Sequence, residues 1–148
     1  MTIQTSLSIQ VSQKTVLVDL HTMRAMLNLD DQTLLNGIDD GTYTWAWNIA
    51  VKEDKVRTIR FWARYLFSQP SATTIEEVVN CLVPPHREMF RGNELKHLLL
   101  CSGATVQRLS KELDGVVVGH TLKVPAASLR RFFTSRWLGA IQHNTHNV

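Results

Sequence analysis

Cysteine is scarce in this chain, and long hydrophobic runs are missing. Two cysteines, Cys81 and Cys101, cannot build a disulfide framework. No run of about 18 apolar residues occurs, so the sequence predicts no membrane span. The first ten residues have neither the positive charge nor the apolar stretch of a secretory signal, and we therefore expect a cytoplasmic protein.

Motifs that carry enzyme chemistry are also missing. The sequence contains no phosphate-binding glycine loop, no metalloprotease motif and no recognisable Ser/His/Asp order. Cys81 with His86, and His97 with Cys101, have spacings that match no common zinc pattern. A free cysteine such as Cys101, beside a leucine run, is commonly a small buried residue. We therefore predict a protein that is not an enzyme and needs no metal or cofactor.

Charge is distributed unevenly along the 148 residues. The whole chain has a net charge of +3, and its 44% hydrophobic and 20% charged residues are typical of a globular domain. Residues 1–85 contain seven lysines and arginines against nine acidic residues, whereas residues 86–148 contain nine against four. The second part is therefore the one that favours a polyanion such as double-stranded DNA.

Strands and helices are predicted in turn at the start of the chain. Residues 7–11 and 15–20 suggest two short strands. Thr22 is the expected cap of a first helix, and Asp30 or Asp31 that of a second. Apolar residues at helical spacing follow these caps: Met23, Met26, Leu27, Leu34, Leu35 and Ile38.

Aromatic residues come next, in two patterns. Tyr43, Trp45 and Trp47 recur at every second position, which indicates extended chain. If exposed, Trp45 and Trp47 are candidate anchors for a protein partner or a second protomer; the alternative is that they fill the core. Residues 54–67 predict a helix with two separate stripes. The apolar stripe is Val56, Ile59, Trp62, Ala63 and Leu66, and the arginine stripe is Arg57, Arg60 and Arg64.

The chain divides into three predicted parts: a first unit over residues 1–67, a connector over 68–86 and a second unit over 87–148. Thr73 and Thr74 precede a glutamate pair at capping-box spacing, so the connector is expected to contain a helix. Its apolar face is Ile75, Val78, Val79 and Leu82.

The second unit predicts three helices and a hairpin. Asn93 is the expected cap of the first helix, and Ser102 that of the next, which is expected to run to Gly115. Two short strands flank Gly119, and Pro125 suits the first turn of a final helix. The inward residues expected on these helices are Leu95, Leu98, Leu99, Val106, Leu109, Leu113, Leu129, Phe132, Phe133 and Trp137.

A shift of 72 residues superimposes parts of the two units. The apolar residues of the first helix fall on those of the first helix predicted in the second unit, and Asp30 falls on Ser102. Near the end, residues 64–66 fall on 136–138. A period this long predicts two copies of a small domain.

The segment "LLLCSGATVQRLSKELDG", residues 98–115, resembles the helix-turn-helix of excisionase-like and MerR-like winged-helix DNA-binding domains. "GHTLKVPAASLRRFF" looks like the return strand of the wing followed by the closing helix. The resemblance implies a mainly helical α+β fold with short β-hairpins, built as two tandem winged-helix-like units. The residues that carry it are Ser102, Thr105, Val106, Arg108, Lys111 and Gly115, and Thr33, Leu34, Ile38 and Gly41 in the first unit.

The second unit has the chemistry of a DNA reader. Gln107 and Arg108 can read adenine and guanine edges in the major groove, and Lys111 is expected to meet phosphate. Further DNA contacts are expected from Ser102 and Thr105 at the start of the helix, from Lys123 on the wing and from Arg130 on the final helix. The corresponding helix of the first unit is acidic and is not expected to read DNA; its residues are Asp30, Asp31, Asn36, Asp39 and Asp40.

We therefore expect a DNA-binding protein, either a transcriptional regulator or an excisionase-like recombination accessory factor. The first unit is expected to pair with a protein partner or a second protomer. The alternative is a protein–protein interaction module that binds no DNA, and a small enzyme without a recognisable motif is a third interpretation.

Overall fold

A computed structural model describes residues 17–62 and 74–139. Within these ranges the chain forms two compact units. The first contains residues 17–50, 56–62 and 137–139, and the second contains residues 51–55 and 74–136. The strand predicted over residues 7–11 lies outside the described residues, as does the repeat match at residues 64–66. The architecture is α+β, as predicted, with two small antiparallel sheets.

The first unit consists of a strand, two helices and a β-hairpin. Its three strands form an antiparallel sheet in which β3 is central, in the order β1-β3-β2. The elements are β1 (Leu17–Asp19), α1 (Leu20–Leu27), α2 (Asp31–Asp39), β2 (Ala46–Asn48) and β3 (Ile59–Trp62).

Aspartates begin both helices of the first unit. The carboxylate of Asp19 accepts the backbone N–H of Thr22 at 2.8 Å, so the cap of α1 is Asp19 and the prediction of Thr22 is wrong. Asp30 is the cap of α2, as predicted, and its carboxylate accepts the N–H of Thr33 at 2.7 Å. Each aspartate satisfies a helical N–H that has no partner within its own helix.

The first sheet is covered on both faces. On one face, Val18, Met23, Leu34, Ile38, Ala46, Ile59 and Phe61 form a buried apolar cluster. On the other, the ring of Trp45 stacks on Trp137 at 5.3 Å and meets Trp62 edge to face. Trp45 and Trp47 are 5% and 0% exposed, so the predicted role as exposed partner anchors is wrong and the core alternative holds.

The helix predicted over residues 54–67 is wrong for the part that the structure describes. Ile59–Trp62 is the central strand β3, and Val56 of the expected apolar stripe is 79% exposed. Phe61 pairs with Val18 on one side and with Ala46 on the other. Alternating β-branched and aromatic residues suit a strand, and pairing with two neighbours stabilises it over a lone helix.

The second unit repeats the element order of the first unit, with one additional helix before it and one after it. Its sheet has the order β4-β6-β5 and is antiparallel. The elements are α3 (Ile75–Leu82), β4 (Met89–Arg91), α4 (Gly92–Leu99), α5 (Gly103–Leu109), β5 (Val116–Val118), β6 (Thr121–Pro125) and α6 (Ala126–Ser135).

Helix α3 is part of the second unit. Its cap is Thr74, whose hydroxyl accepts the N–H of Glu77 at 3.2 Å, and its apolar face packs against α6. A helix was predicted here, but within a connector over residues 68–86. The structure groups residues 74–86 with the second unit, because the apolar side of α3 is buried against α6.

The same order of elements occurs in both units. The starts of β1 and β4, of α1 and α4, and of α2 and α5 are each 72 residues apart, as the sequence shift predicts. In each sheet, the first strand pairs with the return strand of the hairpin. None of the helices in the described ranges combines the length and apolar composition needed to cross a bilayer.

Candidate nucleic-acid interface

Helix α5 buries one side and exposes the other. Its cap is Ser102, as predicted, and the Ser102 hydroxyl accepts the N–H of Thr105 at 3.2 Å. Val106 and Leu109 are buried, which leaves Gln107 and Arg108 exposed on the opposite side. The predicted division of this helix into inward and outward residues is confirmed.

The predicted end of this helix is wrong. Helix α5 ends at Leu109, and Ser110 is its C-terminal cap, with a hydroxyl that donates to Gln107 O at 2.7 Å. A turn follows, in which Asp114 has a φ of 56°. A serine hydroxyl that bonds the preceding turn competes with helix continuation. Lys111 is therefore exposed in the turn after α5.

Gly115 lies at the end of this turn, where the chain passes close to Leu122 and Ser110. A Cβ at this position would lie 2.9 Å from Leu122 Cδ1 and 3.1 Å from Ser110 O. Only glycine therefore fits without a shift of the Leu122 side chain or of the turn. The approach fixes where the hairpin starts relative to α5.

The Arg108 guanidinium is engaged by an acidic side chain far away in sequence. Its Nη1 and Nη2 donate to the two carboxylate oxygens of Asp54, at 3.2 and 2.8 Å. The hydrogen bond from Arg108 lowers the pKa of Asp54, and the same contact raises the pKa of Arg108. Sequence reasoning missed Asp54 because the two residues are 54 positions apart.

The hairpin β5–β6 is the element that the sequence resemblance predicts to be a wing. Gly119 begins its two-residue turn with a φ of 65°, a conformation that favours glycine. Lys123 lies directly opposite Arg91 of β4, so two cations face the same side of the sheet. On the edge strand, Val116–Val118 are each more than half exposed.

A basic cleft of about 390 Å³ adjoins α5. We use this name for the space lined by Arg91, Gly92, Asn93, Lys96, Gly103, Val106, Gln107, His120, Thr121 and Leu122. None of these residues is acidic. Three cationic or protonatable side chains, those of Arg91, Lys96 and His120, are exposed there.

Two features of this cleft could be recognised only from the fold. Arg91 takes the cap position of α4, where Asn93 was predicted, and its N–H donates to Glu94 Oε1 at 3.0 Å. His120 was recognised as a turn residue, but its turn reaches α4 and α5 only through the pairing of β4 with β6. Of the predicted DNA contacts, the cleft includes Gln107.

Arg130 lies away from this cleft, in contacts that hold the second unit together. Its Nη2 donates to the carbonyl oxygens of Pro84 and Arg87, at 2.9 and 3.4 Å. It lines a different cleft, with Lys52, Glu112 and Arg131 among its other residues. The structure thus gives Arg130 a role in tying α6 to the segment before β4.

Neither cysteine lines the basic cleft. Cys81 is exposed and Cys101 is half-buried, and neither is in a disulfide bond. Across the ranges 17–62 and 74–139, no group of three histidine, cysteine or acidic side chains is arranged to hold a metal ion.

Comparison with known proteins gives no relative. No family model, no curated protein and no solved structure matches the chain. The site itself therefore carries the functional interpretation.

Proposed function

We propose that this protein binds double-stranded DNA through its second unit. The observation that carries the proposal is the position of Gln107 and Arg108, exposed on α5 beside the acid-free basic cleft. A short capped helix with an apolar inner side, followed by a hairpin, has the form of a winged helix-turn-helix. The repeated order of elements supports two tandem units of this kind.

The side chains divide by the part of the duplex that they suit. Gln107 and Arg108 are able to make paired hydrogen bonds to adenine and guanine edges in the major groove. Arg91, Lys96, Lys111 and Lys123 are suited to phosphate, which positions a protein on DNA without reading sequence. Ser102 and Thr105 lie at the start of α5, and we propose that they contact the same backbone.

The first unit differs at positions that correspond to this surface. A shift of 72 residues places Asp19 at the position of Arg91, and Asp39 at that of Lys111. Asp39 is exposed, as is Asp31 at the start of α2. These carboxylates would repel phosphate, so DNA binding is assigned to the second unit alone.

The biological role that we propose is that of a transcriptional regulator or an excisionase-like recombination accessory factor in the cytoplasm. Both roles require a small protein that recognises a DNA sequence. Both use the same kind of scaffold, and the site does not separate them.

Salt-dependent binding tests the proposal. Fluorescence anisotropy with random duplex DNA at about 50 and 200 mM salt is expected to show affinity falling as salt rises. The Arg91→Ala/Lys96→Ala variant is expected to weaken binding and to reduce the slope of log K against log salt by about 0.9 per lost phosphate contact.

A matched control removes equal charge from the first unit, as Arg24→Ala/Arg57→Ala. Both arginines are exposed and ion-paired there, with Asp31 and Asp39. This variant is expected to keep the wild-type salt slope. Equal weakening by both double variants, or no binding by the wild-type chain at the lower salt, would contradict the proposal.

The second candidate function is association with another protein chain through the edge strand β5, and one observation favours it. Val116–Val118 present three exposed valines on the edge strand β5. Exposed apolar edge strands pair readily with another chain. If this is the function, the wild-type chain should self-associate in analytical ultracentrifugation and show no salt-dependent DNA binding. Val116→Thr/Val118→Thr should then abolish the self-association.

A further inference from the structure

The Arg108–Asp54 pair engages one of the two residues that we propose to read DNA bases. Both terminal nitrogens of the guanidinium donate to the carboxylate, so the end of the Arg108 side chain is occupied. The same two N–H groups are able to bond guanine O6 and N7 side by side. Asp54 and a guanine base therefore compete for one part of Arg108.

Asp54 is held in place by its own segment. Its N–H donates to Val51 O at 2.9 Å, which closes a turn within residues 51–55. These residues group with the second unit. The carboxylate therefore has a defined position beside α5.

The pair remains open to solvent. The side chains of Arg108 and Asp54 are 53% and 38% exposed, so water and salt screen their attraction. An exposed ion pair contributes less free energy than a paired contact to guanine does. The pair is thus strong enough to hold Arg108 when no base is presented, and weak enough to open when guanine is.

We infer that Asp54 is a specificity-determining residue, which occupies Arg108 until a guanine edge displaces it. The inference rests on the proposed function. On non-specific DNA the pair stays closed, Arg108 adds no phosphate contact, and the Asp54 carboxylate repels the backbone. On a site with a correctly placed guanine, Arg108 exchanges the carboxylate for the base. Because the pair is broken only on the guanine-containing site, Asp54 lowers specific affinity more than non-specific affinity.

The test compares affinity for two duplexes in the full chain. One is a duplex enriched by repeated selection from a random library, and the other is an unselected random duplex. Asp54→Asn is expected to raise affinity for the selected duplex about two- to five-fold, the range that corresponds to one exposed ion pair. Affinity for the random duplex is expected to change less, so the ratio of selected to random affinity rises.

Glu53→Gln is the matched control, because it removes the same charge from the neighbouring position. Glu53 acts on Arg108 through charge alone, whereas Asp54 also accepts its hydrogen bonds. We expect Glu53→Gln to change the ratio less than Asp54→Asn does. An equal change would assign the effect to general charge and overturn the inference.

Arg108→Ala separates this inference from the proposed function. In the Arg108→Ala background, adding Asp54→Asn is expected to leave the affinity ratio unchanged, because nothing remains to be released. If Arg108→Ala weakens binding and Asp54→Asn leaves both affinities unchanged, this inference fails and the proposed function stands. If Asp54→Asn instead lowers affinity for the selected duplex, Asp54 helps to orient Arg108 for DNA, and this result would also overturn the inference. No DNA binding by the wild-type chain would overturn both.

Discussion

Asn28 and Leu100 have the same left-handed backbone conformation, 72 residues apart. Their φ and ψ values are 54° and 49° for Asn28, and 53° and 53° for Leu100. Each N–H donates to the carbonyl four residues earlier; Asn28 ends α1 and Leu100 ends α4. The turn that leads into α2 and the turn that leads into α5 therefore have one geometry, although their residues differ.

Asn28 tests this geometry. Asparagine tolerates the left-handed region, glycine adopts it freely, and a β-branched residue does not. We expect Asn28→Val to lower the free energy of unfolding by about 1–2 kcal/mol. Asn28→Gly is expected to stay near the wild type in the same urea titrations. Equal losses in the two variants would show that the side chain of Asn28, and not its backbone, matters.

Gly115 and Gly103 are expected to respond in opposite directions to alanine. In Gly115→Ala the new methyl group meets Leu122 and Ser110 O, and we expect a loss of about 1–3 kcal/mol in the free energy of unfolding. Gly103 begins α5, where a Cβ would meet only Lys96 Cδ, at 3.8 Å. Gly103→Ala should therefore be neutral or stabilising by up to about 1 kcal/mol. Thermal unfolding of both variants measures the difference, and a stable Gly115→Ala would refute it.

Two arginine–carboxylate pairs of the second unit should differ in their contribution to the free energy of unfolding. Arg136 and Glu112 have side chains only 10% and 23% exposed, and the Arg136 guanidinium also lies over the Phe132 ring. Arg136→Ala leaves the Glu112 carboxylate without this partner, and we expect a loss of about 2 kcal/mol or more in urea denaturation. Arg131 pairs with Asp114 in the open. Arg131→Ala is expected to give a much smaller shift, since solvent screens such pairs.

Acid is expected to weaken the cap of α2. The backbone hydrogen bond from Thr33 lowers the pKa of Asp30 from its model-peptide value of 3.8. A carboxyl with a depressed pKa in the folded state stabilises the fold above its unfolded pKa. That contribution is lost as the pH falls through the lower, folded pKa.

Asp30→Asn checks this expectation, because asparagine keeps the cap and does not titrate. At neutral pH the wild-type chain is expected to be the more stable of the two. The difference in urea midpoint should shrink as the pH falls below about 4, the range where an unfolded aspartate titrates. A constant difference from neutral to strongly acidic pH would rule out Asp30 as the titrating group.

Features set by neighbouring residues were predictable from the sequence. Asp30 and Ser102 cap helices that follow within three residues, and Gly119 turns a hairpin whose strands lie on either side. Their partners are close in sequence, so residue type and spacing determine the outcome. Two caps were mispredicted: Asp19 caps α1 where Thr22 was expected, and Arg91 caps α4 although arginine is not a typical cap residue and its N–H depends on Glu94.

Features set by distant partners were not predictable. Val56, Ile59 and Trp62 fit a helical stripe, and Ile59 with Phe61 fits a strand equally well. Pairing with Val18 decided between the two, across more than forty residues. The contact of Arg108 with Asp54 is of the same kind. Local pattern identifies α5 as the exposed helix but does not show what its arginine contacts in the absence of DNA.

Residues 137–139 complete the first unit, although residues 74–136 belong to the second. The ring nitrogen of Trp137 donates to Thr44 O at 2.8 Å, and Leu138 N–H donates to Ala46 O at 2.9 Å. The ribosome makes these residues only after the whole second unit. The unit that starts first during translation is therefore finished last, and until then Trp45 lacks its stacking partner. We expect the nascent chain to need protection from aggregation over that interval.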